Sequence, residues 1–202
     1  MIHLDYVQSK FNIDLMNDSF NEVPLSLHIE LEKEMYQFDD QGDLNSCYFT
    51  KVYHVAINIF DELFGENDSL FFVTIVRSEH SLRRPIGVYR KYSTKTNQYR
   101  LNAKSIKDEN GNVFQYSLET QKQHIEYKKI IKAICHQDFK GMTPRFNDKS
   151  SQYPEVFFIN KDKGVIYHIY DDRGAFLIFK DERKYEEFKA KYRTFMVGED
   201  DN

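Results

Sequence analysis

The sequence has no tryptophan, only two cysteines among 202 residues, and no apolar stretch near the roughly 20 residues needed to cross a bilayer. Its opening, MIHLDYVQSKFN, lacks a cationic region followed by an apolar run, so no secretory leader and no membrane partner are expected. Cys47 and Cys135 stand far apart without a CxxC partner, which reads as two reduced thiols and a cytoplasmic location. The P-loop, the dinucleotide fingerprint, the esterase elbow and the HExxH zinc motif are all missing, so neither a cofactor nor a metal is expected. These absences exclude the familiar enzymes and leave an unfamiliar one open.

What is present describes a globular protein. Hydrophobic residues make up 41% of the chain, with 14 Tyr and 17 Phe. A chain of this length hides roughly 70% of its unfolded surface, so it supports a core without cross-links. A single α+β domain over residues 1–202 is expected, with 1–23 and 198–202 as loose ends and 138–154 as a long loop. Charge is segregated. Residues 1–46 carry ten acidic residues against Lys10 and Lys33, whereas 77–107 carry nine basic residues against Glu79 alone.

Hydrophobic periodicity supplies the elements. Residues 24–35 alternate Leu25, Leu27, Ile29 and Leu31 with polar residues, the period of a half-buried strand. After the turn cluster QFDDQGDLNS, apolar positions cover a wide helical face over 48–64. The run LFFVTIV then reads as an interior strand. IGVYRKY and QYRLNAKSI read as two partly exposed strands around STKTN, and DENGN carries an Asn-Gly hairpin signal. Thr120 and Gln123 fit a capping box for a helix over 121–137. Three antiparallel strands follow over 156–159, 165–170 and 175–179. A helix capped by Asp181 occupies 182–197, with Tyr185, Phe188, Tyr192 and Phe195 on one stripe. The sum is a mixed, mostly antiparallel sheet packed with about three helices.

Few residues suggest chemistry. Asp171, Asp172, Arg173 and Gly174 form the most distinctive cluster, because two adjacent carboxylates beside a guanidinium at a strand end suit a divalent metal or an acid–base pair, and His168 is the histidine to watch just before them. The competing reading is a tight turn in which Asp bonds the backbone and Arg173 neutralises it. Glu182 and Lys184 mimic a nuclease signature but fall in the first turn of a helix, where that chemistry does not work. The basic patch of Arg83, Arg84, Arg90, Lys91 and Arg100, interleaved with Tyr89, Tyr92 and Tyr99, has the composition of a nucleic-acid surface, as does any solvated meander. The acidic residues Glu30, Glu32, Asp39, Asp40 and Asp43 suit docking to a basic protein.

The stretch FFINKDKGVIYHIYDDRGAFLIFKDERKYEEFKAKYRTFM resembles the bacterial domain-of-unknown-function family 3885. Its apolar strand, Tyr-Asp-Asp-Arg-Gly turn, second apolar strand and closing amphipathic helix carry the resemblance. VPLSLHIELE, YFTKVYHVAINIFDELF with LFFVTIV, and KAICHQDFKGMTPRF extend it less sharply upstream. The sequence departs from the pattern at Ala175, where Cys or another residue is expected, and at Phe195, where Trp is common. The resemblance implies no activity. It implies small cytoplasmic proteins of Gram-positive bacteria, which often belong to toxin and immunity loci. The expectation is therefore a non-catalytic immunity protein that neutralises a toxin domain by direct binding. The alternatives are an enzyme centred on His168, Asp171, Asp172 and Arg173, or a nucleic-acid binder through 77–107.

Overall fold

The computed structural model describes residues 3–16, 19–78, 87–94, 101–108, 111–146 and 153–198. In chain order the elements are α1 (His3–Phe11), β1 (Ser26–Glu30), α2 (Ser46–Leu63), β2 (Ser69–Ser78), α3 (Gly87–Tyr92), β3 (Asn102–Asp108), β4 (Gly111–Gln121), α4 (Tyr127–Cys135), β5 (Glu155–Asn160), β6 (Val165–Ile169), β7 (Gly174–Phe179) and α5 (Glu182–Lys191). Short 3-10 turns sit at Lys122–His124 and Arg193–Phe195.

The seven strands form one sheet in the order β1-β7-β6-β5-β2-β4-β3. Each pairing is antiparallel, so the fold is α+β and the sheet among the described residues is antiparallel throughout. Both faces of the sheet are covered. Leu27, Phe72, Phe158, Tyr167 and Leu177 share one core with Val52, Ala56, Ile59 and Phe60 of α2 and Ile130, Ile131 and Ile134 of α4. Phe71, Val73, Ile75, Phe157, Ile159, Ile166 and Ile178 share a second core with Val7, Ile13 and Leu15. Two-sided burial explains why β2, β5, β6 and β7 are unbroken apolar runs rather than alternating ones.

Residues 1–23, expected as a loose end, thus supply α1 and the buried Val7, Ile13 and Leu15 that close the second core. IGVYRKY also differs from its expected strand: α3 is a helix, because Val88, Tyr89 and Tyr92 follow helical spacing. Tyr89 is held there by its hydroxyl, which donates to the Tyr116 carbonyl (2.8 Å) and accepts from Thr74 Oγ1 (3.1 Å). The strand paired with β4 is β3 instead, closed by the hairpin read from DENGN. Thr120 caps nothing. It lies in β4, whose pairing with β2 runs through Gln121↔Ser69, and α4 starts only at Tyr127. Pairing with a central strand outcompetes a local capping motif.

β1 is an outermost strand, and the C-terminal segment covers its outer side. Met196 bridges Ile29, and the Val197 N–H donates to the His28 carbonyl (3.1 Å). No described helix is long and apolar enough to cross a membrane.

Candidate functional site

The connection between β6 and β7 holds the residues Tyr170 to Gly174. Asp171 is buried and accepts the Arg173 backbone N–H (2.8 Å), its Nε (2.8 Å) and its terminal guanidinium nitrogen. Arg173 extends from there into solvent, and the carboxylate bonded to it raises its already high pKa. Asp172 is buried too. One of its carboxylate oxygens accepts the Tyr48 hydroxyl (2.8 Å) and Gln37 Nε2 (3.3 Å). Burial raises the Asp172 pKa, opposed by the bond from Tyr48. The Tyr170 hydroxyl meets His28 Nε2 (3.0 Å) and lies over Gly174, where an added Cβ would stand 2.1 Å from that oxygen. Burial, then the Asp171 carboxylate, push the Tyr170 pKa up to about 12. The turn is stitched to three elements: the Leu31 N–H donates to the Arg173 carbonyl (2.9 Å), Gln137 Nε2 to the Tyr170 carbonyl (2.8 Å), and Tyr48 of α2 to Asp172.

Carboxylate oxygens of Asp138, Asp171 and Asp172 lie within 4.8 Å of one another. A guanidinium occupies Asp171, and two neutral donors share one oxygen of Asp172, while Asp138 is exposed. An ion held by all three would compete with Arg173 for Asp171.

His168 stands apart from these carboxylates. Its ring packs between Phe157 and Phe176 and beneath Phe20 in the second core, whereas Asp172 reaches α2 in the first. Phe157, His168, Phe176 and His28 are cross-strand neighbours on β5, β6, β7 and β1, stacked with centroid separations of 4.1, 6.5 and 4.3 Å. His168 Nδ1 lies 2.9 Å from the Val156 carbonyl, an acceptor only, so this nitrogen carries a proton. Burial pushes its pKa down to about 4. His168 lines an open cleft of about 510 Å³ with Arg77, Gln137, Glu155 and Tyr170. The quartet His168, Asp171, Asp172 and Arg173 is therefore not assembled around one space.

The acidic segment is assembled. Between β1 and α2, residues 36–45 form a tight excursion centred on Asp39, whose Oδ1 accepts the N–H groups of Gln41 (2.9 Å) and Asp43 (3.0 Å). Gly42 takes φ of +83°, a left-handed conformation that a side chain would strain. Phe38 and Leu44 form a β-bridge, and the Asn45 N–H donates to the Gln37 carbonyl (2.9 Å). Asn45 ties this loop to the helix, with Nδ2 donating to the Tyr36 carbonyl and Oδ1 accepting the Cys47 and Tyr48 N–H groups as the α2 cap. Held this way, Tyr36 is 82% exposed, Phe38 53% and Leu44 39%. Asp39, Asp40 and Asp43 are exposed around them. Glu30 lies 3.6 Å from Lys33. Glu32 leaves the expected acidic surface: its side chain is 6% exposed and faces Lys51 at 3.7 Å. Glu34, 82% exposed, takes its place outside.

A family model, described as domain of unknown function (DUF3885), matches residues 4–200. The chain belongs to the DUF3885 family. It is also 29% identical over 205 residues to the uncharacterized protein YnaE of Bacillus subtilis (strain 168), with 96% of each chain covered. No solved structure matches. In this DUF3885 protein the basic segment is less suited to stacking bases than its composition implied. Arg90 and Lys91 lie on the exposed side of α3, but Tyr89 and Tyr92 turn into the core. Arg83, Arg84, Arg100 and Tyr99 lie outside the described residues. Sequence reasoning missed Tyr36, Phe38 and Leu44. The available signal was three large apolar residues set in a stretch of Asp, Gln, Gly and Asn, where no core-facing period places them.

Proposed function

We propose that this protein is a non-catalytic cytoplasmic binding protein that grips a basic partner protein through residues 34–44, in the manner of an immunity protein covering a toxin. The observation that carries this reading is the exposure of Tyr36, Phe38 and Leu44 on a backbone fixed by the Asp39 and Asn45 side chains. Aromatic side chains dominate the energetics of protein interfaces, and a loop ordered before binding loses little entropy on docking. The surrounding Glu34, Asp39, Asp40 and Asp43 would steer a cationic partner and repel nucleic acid. The Tyr170–Gly174 turn supports the same reading from the other side, since its carboxylates are committed to Arg173, Tyr48 and Gln37.

The test compares wild type with Tyr36→Ala/Phe38→Ala and with Asp40→Lys/Asp43→Lys. The wild type should capture a stoichiometric basic protein from its native lysate and suppress that protein's toxicity on co-expression. The aromatic variant should dissociate faster and the charge-reversed variant associate more slowly. A captured partner whose binding rates are the same with all three proteins would sink the proposal.

A further inference from the structure

On the second face of the sheet, Arg77, Gln137, Tyr153, Glu155, His168 and Tyr170 line the open cleft of about 510 Å³, within the ~300–1,000 Å³ typical of ligand pockets. His168 is only 5% exposed. Its Nδ1 is spent on the Val156 carbonyl, and Nε2 makes no hydrogen bond among the described residues. The sealed polar side-chain atoms without a partner there are the Ser26 and Tyr92 hydroxyls, so Nε2 is not sealed and opens to the cleft. Glu155 stands two residues before Phe157, the cross-strand partner of His168, so the two side chains share a face as diagonal neighbours.

The other polar groups sort by what they have already spent. Gln137 gives Nε2 to the Tyr170 carbonyl (2.8 Å) and keeps Oε1, and Glu155 accepts Arg77 Nε on one oxygen (3.1 Å) and keeps the other. Arg77 gives a second nitrogen to the Met16 carbonyl (2.7 Å), and the Tyr170 hydroxyl is taken by His28. Donors are thus mostly engaged, while an imidazole nitrogen, an amide oxygen and a carboxylate oxygen remain to accept. Charge selects no ion. Arg77 and Glu155 cancel, and burial, holding the His168 pKa near 4, leaves its ring uncharged at neutral pH. Tyr153 and Tyr170 supply flat surfaces. The Arg145 guanidinium lies 5.2 Å from the Tyr153 centroid and also donates to the Gln137 carbonyl (2.8 Å), so one side chain sets both the ring and the amide.

We propose that the cleft binds an uncharged planar amine, an aminopurine or aminopyrimidine ring, whose exocyclic amino group donates to His168 Nε2. An amino group conjugated to such a ring donates without accepting, which is what the unspent atoms require. A polyol would bring lone pairs that find few donors here. The heterocycle has a π-face to lay against tyrosine. This site stands apart from the 34–44 loop and does not depend on it.

The test titrates 13C,15N-labelled protein with 9-methyladenine, with 9-methylpurine, which lacks the amino group, and with benzamidine, a planar cation. 9-Methyladenine should bind saturably and move the His168 imidazole and Gln137 side-chain amide resonances. 9-Methylpurine should bind about tenfold more weakly, the effect of leaving one buried acceptor unmet. His168→Phe keeps a ring on Phe157 and removes Nε2, so it should hold the two purines equally. If that variant misfolds, the wild-type 15Nε2 resonance decides, because it moves upfield on accepting a hydrogen bond. No saturable binding of 9-methyladenine, equal affinity for 9-methylpurine, tighter binding of benzamidine, or an unmoved His168 ring overturns the proposal.

Discussion

Gly174 is the position where the smallest substitution carries a large cost. A methyl group there would meet the Tyr170 hydroxyl at 2.1 Å and the Ile29 carbonyl at 2.8 Å, and the latter belongs to backbone that cannot step aside. Gly174→Ala should therefore lose about 3 kcal/mol in urea denaturation, at the upper end of overpacking costs. A neutral result would mean that β1 and β7 separate easily. His168 offers a test with a pH signature. Its pKa falls from 6.5 to about 4 on folding, so the unfolded chain binds the proton more tightly. Stability is complete above pH 6.5 and declines as pH falls toward 4, by up to about 3 kcal/mol relative to a chain without this group. His168→Phe keeps the stack on Phe157 and removes the titration. The stability difference between the two proteins should shift in the variant's favour between pH 6.5 and 4, and a constant difference would contradict the assignment. The pairing of Arg173 with Asp171 was legible in the sequence because its donors and acceptors are two residues apart. The roles of Tyr170 and Asp172 were not, since His28, Gln37 and Tyr48 reach them from more than 120 residues away.

At the scale of elements, local signals succeeded where nothing tertiary competed. Asp181 does cap α5, with its carboxylate accepting the Lys184 N–H at 2.9 Å. The apolar runs gave β2, β5, β6 and β7 within a residue or two. Local reasoning failed at α3 and at the start of α4, where a phenol buried between strands and the long β2–β4 ladder decided the outcome. Asn45 sits where two elements meet, and one substitution should affect both. Asn45→Ala removes the cap of α2 and the bond to the Tyr36 carbonyl, at a cost of about 1 kcal/mol. Hydrogen exchange should also speed up at the Gln41, Gly42 and Asp43 amides if the loop depends on this anchor. Exchange that stays as slow as in the wild type would show that Asp39 suffices alone.

The molecule as a whole is a sheet between two helical layers of unequal weight. Strand order lay beyond the sequence because β2, β5, β6 and β7 are largely apolar on both faces, so pattern does not say which neighbours which. The acidic surface was legible as charge, but not as a surface, until Glu32 turned inward and Tyr36 turned out. The two cores are built from alternating residues of the same central strands, so thermal unfolding should be one transition. Val7→Asp, in the minor layer, should lower the melting temperature followed by either far-UV or tyrosine signals by the same amount. Separate transitions would mean that the layers are independent.

The Met196–Val197 segment completes the picture at the margin of the sheet. By lying along the outer side of β1 it occupies backbone groups that any other extended chain could otherwise use. A protein ending at Phe195 would lose this stopper, together with the packing of Met196 on the first core. Its molecules should add to one another strand by strand, and the last few residues would prove to be what keeps it from polymerising.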